Sequence, residues 1–289
     1  MFDHNETLEE ARSRNVRDAL FEDIGRADWT GLLVPEGKRV RARVTVREEA
    51  VLCGRDWFEA CLHGLDAQGR VDWRYDEGAR MTANTAVCEI EADARALLSA
   101  ERPALNFLQL LSATATVTRR HVDAIEGASP NPRGCAVLDT RKTIPGLRQA
   151  QKYAVRVGGG RNQRLALWHG ILIKENHIAA AGGIGPVLRN ARELNAGVEI
   201  QIEVESLQQL REALEHGATS VLLDNFSPAG MRDAVALASG RVLLEASGGI
   251  TLEGLREIAT TGVDRISIGK LTKDVLAVDY SMRVLDSLA

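Results

Sequence analysis

The chain begins with an apolar pattern of helical period. Over residues 7–22 the apolar positions are Leu8, Ala11, Val16, Ala19 and Leu20, which fits an amphipathic helix. Thr7 stands at its N-cap with Glu10 at capping-box spacing, and Gly25 lies just beyond its end. The period then shortens to two. Val40, Ala42, Val44 and Val46 alternate with Arg39, Arg41, Arg43, Thr45 and Arg47, as in a half-buried antiparallel strand. Further strands are expected at 71–75 and 85–90, with a helix over 56–65. An Ala- and Leu-rich helical region follows over 94–126, in which Pro103 either opens a new helix or kinks one.

From Cys135 the pattern becomes a short apolar run followed by a helix, repeated. Strands are expected at 136–138, 171–173, 199–204, 220–223, 242–245 and 265–268. Ser206, Ser227 and Thr251 are N-cap candidates, Pro228 takes a favoured first helical position, and Gly217, Gly240 and Gly262 are stops. These strands and helices predict α/β plus α+β architecture: a C-terminal parallel α/β barrel of about six βα units, incomplete relative to eight, after an N-terminal α+β domain with an antiparallel sheet. The expected domains are 1–115 with its helical connection, 116–272 as the catalytic barrel, and 273–289 as a C-terminal helix packing back on the N-terminal domain.

The residues after each barrel strand decide between a barrel and an open sheet. They are Asp139, Arg141 and Lys142; Lys174; Glu203 and Glu205; Asp224 and Asn225; Ser247, Gly248 and Gly249; Gly269 and Lys270. An open sheet concentrates function at one switch point, whereas a barrel turns every strand end into one mouth. Arg141, Lys142, Arg164 and Lys174 suit carboxylates or phosphates. Glu203 and Asp224 suit sugar hydroxyls, Mg²⁺ or developing positive charge. Ser247, Gly248 and Gly249, then Ser267 and Gly269, suit a phosphate approached by backbone N–H groups. Alternatives stay open at this level. Lys174 could be a Schiff-base nucleophile, Asp224–Asn225 a helix-capping turn, and His169 and His177 core or loop residues. Glu203 and Glu205 share a strand face and are not separable by pattern.

Composition narrows the class. The chain has 289 residues, 45% hydrophobic and 26% charged, with a net charge of −4. That charge, and the lack of aromatics among the strand arginines, argue against nucleic-acid binding. No apolar run approaches the ~18 residues of a membrane span. The acidic start lacks signal-peptide character, so a cytoplasmic protein is expected. Cys53, Cys61, Cys88 and Cys135 are scattered, which favours buried thiols over disulfides or zinc.

Eight ordered runs carry a resemblance: AERPALNFLQLLSATAT, LDTRKTIPGLR, QKYAVRVGGGRNQR, GILIKENHI, EVESLQQL, LLDNFSP, EASGGI and GVDRISIGKLT. The chain resembles the quinolinate phosphoribosyltransferases, decarboxylating enzymes of NAD biosynthesis. The resemblance implies phosphoribosyl transfer from phosphoribosyl pyrophosphate to quinolinate, with Mg²⁺ and no organic cofactor, in a homodimer with shared sites that could assemble further. It implies that Arg102 (from the partner subunit), Thr140, Arg141, Gln163, Arg164 and Lys174 hold quinolinate. Lys142, Glu203, Asp224, Ser247, Gly248, Gly249, Ser267, Ile268 and Gly269 would hold the phosphoribosyl group. Of these, Lys142, Lys174, Glu203 and Asp224 are the implied catalytic residues, and Glu203 and Asp224 the implied Mg²⁺ residues, directly or through the substrate. The family commonly has His where this chain has Gln163, so a charged role there is not expected. Two other readings are a barrel lyase using Lys174 and a non-catalytic anion-binding relative.

Overall fold

A computed structural model describes residues 3–287. In chain order its first elements are α1 (Leu8–Ile24), β1 (Arg39–Val46), β2 (Ala50–Val51), α2 (Arg55–His63), β3 (Arg70–Trp73), β4 (Arg80–Met81), β5 (Thr85–Asp93) and α3 (Ala94–Ile125). Next come β6 (Ala136–Leu138), α4 (Arg148–Val157), β7 (Gly170–Ile173), α5 (Glu175–Ala181), α6 (Ile184–Glu193), β8 (Glu199–Val204) and α7 (Leu207–Glu215). The last are β9 (Ser220–Asp224), α8 (Pro228–Ala238), β10 (Leu243–Ser247), α9 (Leu252–Thr260), β11 (Arg265–Ser267), α10 (Lys270–Lys273) and β12 (Tyr280–Ser287). The chain divides into two compact units: 1–119 with 143–159 and 272–289, and 120–142 with 160–271.

The first unit is the expected α+β domain. Its antiparallel sheet has the order β12-β1-β5-β3. Val40, Ala42, Val44 and Val46 of β1 are buried, and the outward arginines meet acids: Arg41 with Asp286 at 2.7 Å and Arg43 with Glu89 at 2.8 Å. The arginine stripe is thus a paired, solvated sheet face. Thr7 caps α1 as its spacing predicts: Thr7 Oγ1 accepts the Glu10 N–H, and Glu10 Oε2 accepts the Thr7 N–H. Pro103 lies inside a single helix, so it neither opens a new one nor ends the old. Later in α3 the hydroxyls of Ser112 and Thr116 accept the N–H groups of Cys53 and Val51, satisfying backbone that would otherwise be buried unpaired.

Two expectations are corrected here. Residues 273–289 do not form a C-terminal helix; Tyr280–Ser287 is a strand antiparallel to β1. Tyr280, Met282 and Val284 alternate with Ser281, Arg283 and Leu285, and the free edge of β1 offers a ladder that this period-two pattern can complete. The boundary at 115/116 also shifts, because 143–159 belongs to the first unit. Ala150 and Ala154 of α4 join that unit's apolar core, Tyr153 packs on Trp57 with ring centroids 5.5 Å apart, and Tyr153 donates to Glu77.

The second unit is the parallel barrel domain. Its six strands run β6-β11-β10-β9-β8-β7, all parallel. Arg161 bridges Leu138 on the free side of β6, and Arg164 donates to the Gly170 carbonyl at the start of β7, so residues 161–170 span the gap between the outer strands. Ile202, Val204, Val221, Leu223, Leu244, Ala246 and Ile266 are buried and line one face of the sheet. Ser206, Ser227 and Thr251 cap their helices, and Gly217, Gly240 and Gly262 follow helix ends with positive φ.

Candidate active site

The strand registers bring the expected chemistry to one end of the sheet. Ser267 lies beside Leu138, Ser247 beside Asp224, and Val204 beside Leu223. Residues just past these rungs therefore share the C-terminal rim, where parallel barrels place their sites.

At the β6–β11 side, Thr140 Oγ1 accepts the Lys142 N–H at 3.1 Å. A Cβ on Gly269 would lie 3.1 Å from Lys142 Cδ and 3.5 Å from Thr140 Oγ1, so Thr140, Lys142 and Gly269 are neighbours. Asp139 is fully buried and faces inward: it accepts from the Gln163 N–H at 2.9 Å and from Asn162 Nδ2 at 2.6 Å. It anchors the 161–163 segment. Burial, then the positive charge of Arg141, holds the Arg164 guanidinium below its usual pKa.

On the opposite side of the gap, Lys174 Nζ lies 2.9 Å from Glu203 Oε2 and 3.3 Å from Oε1. Glu203 is nearly buried while Glu205 is exposed, with its N–H held by Gln209 Oε1. The two acids left open by pattern are thereby told apart, with Glu203 the one paired to Lys174. His177 Nδ1 accepts the Lys174 N–H and His169 Nδ1 the Leu165 N–H, which are local loop roles.

Between these lies the acid–glycine corner. Asn225 has φ 55°, donates its N–H to the Ser247 carbonyl and its Nδ2 to Asp224 Oδ2 at 2.9 Å. Asp224–Asn225 is thus a turn that also orients the Asp224 carboxylate. Gly248 has φ 103°, and a Cβ there would run into the Asn225 side chain, so only glycine fits. Gly249 follows with φ 56°, two residues before the Thr251 cap of α9.

Two further expected residues, Ile268 and Arg102, have the following surroundings. Ile268 is 3% exposed and its N–H donates to the Leu138 carbonyl, so neither its side chain nor its amide is available to a phosphate. The last rung of the β6–β11 ladder claims it. Arg102 is in the first unit, on α3, exposed and 3.9 Å from Glu101. It lines a cleft with Arg14, Asp18, Asn106, Phe107 and Pro145 of that unit.

Sequence reasoning missed three interior residues: Gln201, Glu245 and Arg265. Period two from Glu203 and Ser247 points to them, because stepping back along each strand reaches Gln201 and Glu245 on the same face. A cleft of about 420 Å³ beside them is lined by Gln163, Arg164, Trp168, His169, Glu199 and Arg265. It includes two of the expected quinolinate residues but none of the rim acids or glycines.

No group of three or more His, Cys, Asp or Glu side chains among the described residues is placed to hold a metal. The rim carboxylates of Glu203 and Asp224 are oxygen donors of the kind Mg²⁺ takes.

Residues 27–112 match the family model for the quinolinate phosphoribosyl transferase N-terminal domain, and 114–283 match the model for its C-terminal domain. A probable nicotinate-nucleotide pyrophosphorylase (carboxylating) of Bacillus subtilis is 39% identical, over 92% of this chain and 90% of its own. The Mycobacterium leprae nicotinate-nucleotide pyrophosphorylase (carboxylating) is 40% identical, over 94% of this chain and 97% of its own. The solved structure of the Francisella tularensis nicotinate-nucleotide pyrophosphorylase superposes with a TM-score of 0.91 at 40% identity, covering 98% of this chain and all of that one. The cation-tipped strands, the acid pair and the glycine corner therefore sit in a chain that belongs to the quinolinate phosphoribosyl transferase family.

Proposed function

We infer that this chain transfers the phosphoribosyl group of phosphoribosyl pyrophosphate to the nitrogen of quinolinate with loss of CO₂, giving nicotinate mononucleotide and pyrophosphate. The single observation that carries the reading is the division of the rim into a cationic part and an acid–glycine part, in a chain of this family. Arg141, Gln163, Arg164 and Lys174, with Thr140, grip the two carboxylates. Lys142, beside Gly269, faces phosphoribosyl or pyrophosphate oxygens. Glu203 and Asp224 hold the ribose hydroxyls. Ser247, Gly248, Gly249 and Gly269 receive the 5′-phosphate, and Ser267 supports them from the rung below.

Breaking the anomeric bond leaves positive charge on ribose and negative charge on pyrophosphate. Acids under one and cations near the other stabilise that separation as it develops. Glu203 and Asp224 are also the residues that would hold Mg²⁺ on the substrate, where the ion neutralises phosphate charge. Lys174 is paired with Glu203, so a quinolinate carboxylate would compete with the acid for the lysine and leave Glu203 to the ribose. With Lys174 engaged by Glu203, in a chain whose relatives are named as pyrophosphorylases, the lyase reading is set aside. A non-catalytic anion sensor has no use for the two acids.

The functional unit is a homodimer in which Arg102 serves the partner's site. Supporting this, Phe21, Trp29 and Leu33 of the same unit are 79%, 77% and 83% exposed, an unusual display of large apolar side chains. The four cysteines are free, as in a reducing compartment, which favours a cytoplasmic enzyme. No helix among the described residues is long and apolar enough to cross a membrane.

The test is substrate choice. Purified protein with phosphoribosyl pyrophosphate, Mg²⁺ and quinolinate should form nicotinate mononucleotide, and nicotinate in place of quinolinate should yield none. Turnover with nicotinate but not with quinolinate contradicts the reading.

A further inference from the structure

The concave face of the parallel sheet carries a polar chain that the rim chemistry does not use. Gln163 Nε2 donates to Gln201 Oε1 at 2.9 Å, and Gln201 Nε2 donates to Glu245 Oε2 at 2.9 Å. The second bond joins β8 to β10 past the intervening β9, so it crosses the barrel interior. Glu245 is fully buried and Gln201 is 4% exposed. Arg265 Nε lies 3.6 Å from the same Glu245 oxygen, while its Nη2 holds Glu199 at 2.9 Å and Ser220 at 2.7 Å. Glu245 Oε1 has no hydrogen-bond partner, an arrangement that packing alone would replace with an apolar side chain.

The direction of the chain follows from donor inventory. An ionised carboxylate only accepts, so Gln201 turns its NH₂ to Glu245 and its carbonyl to Gln163, and Gln163 must donate. A carboxamide holds its oxygen and nitrogen on opposite sides. With its NH₂ toward Gln201, Gln163 therefore turns its carbonyl oxygen away from it. A protonated Glu245 can donate instead, which lets both amides turn over and brings the Gln163 NH₂ to the outer side. A carboxylate ligand selects that second sense, because it needs a donor.

We propose that Glu245 is a positioning residue for quinolinate binding, acting through Gln201 to set which end of the Gln163 carboxamide faces the ligand. The proposal rests on the assignment of Gln163 to quinolinate made above. Binding then draws one proton from solvent onto Glu245, with no bond of the substrate broken. The groups that face Glu245 are Gln201 and Glu199 of β8 and Arg265 and Ser267 of β11, and His169 lines the adjoining cleft near Glu199. Burial lifts the Glu245 carboxyl above the ordinary carboxylate range, against the opposing pull of Gln201, Arg265 and Ser267.

The experiment measures KM for quinolinate and for phosphoribosyl pyrophosphate across the whole pH range in which the protein stays folded, in the wild type, Glu245→Gln and Gln163→Ala. The folded-state pKa of Glu245 is raised, so the proton is lost as pH climbs, and the wild-type KM for quinolinate should rise by up to about tenfold per unit beyond that point. KM for phosphoribosyl pyrophosphate should not follow, and Glu245→Gln should abolish the rise. A flat wild-type profile, or an unchanged rise in Glu245→Gln, overturns the proposal. Should Glu245→Gln not fold, calorimetry of quinolinate binding to the wild type in two buffers of different ionisation enthalpy reads the same proton, and zero uptake overturns it. Gln163→Ala separates the two layers: an unchanged quinolinate KM removes the underlying assignment of Gln163, whereas a raised KM beside a wild-type profile in Glu245→Gln removes only the role of Glu245.

Discussion

Gly248 shows how a single missing side chain shapes the site. Its φ of 103° and the proximity of Asn225 leave no room for a Cβ, and the same Asn225 orients Asp224. Gly248→Ala should therefore displace the acid–glycine corner while sparing the cations. Backbone strain of about 1–3 kcal/mol predicts a rise of about tenfold or more in KM for phosphoribosyl pyrophosphate, with quinolinate KM within about twofold. Steady-state kinetics with each substrate varied in turn checks this, and an equal rise in both constants would contradict it. At this scale most of the rim was legible, because charged and small residues at the ends of apolar runs have few other reasons to be there. Glu203 and Glu205 could not be parted by period alone. Burial parts them, since only Glu203 lies deep enough to meet Lys174. Ile268 was expected at the end of a strand, and its phosphate role came only from the resemblance; its amide is taken up by the Leu138 carbonyl.

Elements were read best where local chemistry fixes them. The capping box of Thr7 and the caps of α7, α8 and α9 are side chain–backbone bonds within four residues, so they are visible in the sequence. Thr7→Ala should cost about 1 kcal/mol of stability, read as a lower urea midpoint with unchanged slope. β12 and the allegiance of α4 were not legible, because both depend on distant partners. Nothing near Tyr280 reveals that β1 offers a free edge, and the repeated strand–helix rhythm assigned α4 to the barrel. Tyr280 is the residue that ties the strand down: its hydroxyl donates to Ser112 Oγ at 2.8 Å in the core of the first unit. Tyr280→Phe removes the donor to the buried Ser112 Oγ, leaving it only its bonds to Cys53, and should destabilise by about 1–2 kcal/mol. Chemical denaturation of the variant tests this, and wild-type stability would show that β12 is held by its ladder alone.

At the scale of the whole molecule, the cationic half and the acid–glycine half share one unit, while Arg102 is carried by the other. Sharing of sites between subunits predicts complementation. Arg102→Ala mixed with Lys174→Ala, each inactive alone, should recover activity, up to roughly a quarter of the sites at statistical exchange of dimer subunits. Confirmed exchange without recovery would keep Arg102 out of the partner's site. This rim is proposed to join quinolinate to a phosphoribosyl group with loss of CO₂, with Glu203 on the ribose. Quinolinate labelled in the departing carboxylate, incubated with phosphoribosyl pyrophosphate and Mg²⁺, measures that directly. The account predicts one labelled CO₂ per nicotinate mononucleotide from the wild type, and a rate lower by about 10²–10³ in Glu203→Ala. No labelled CO₂ from the wild type, or an undiminished rate in Glu203→Ala, would contradict it.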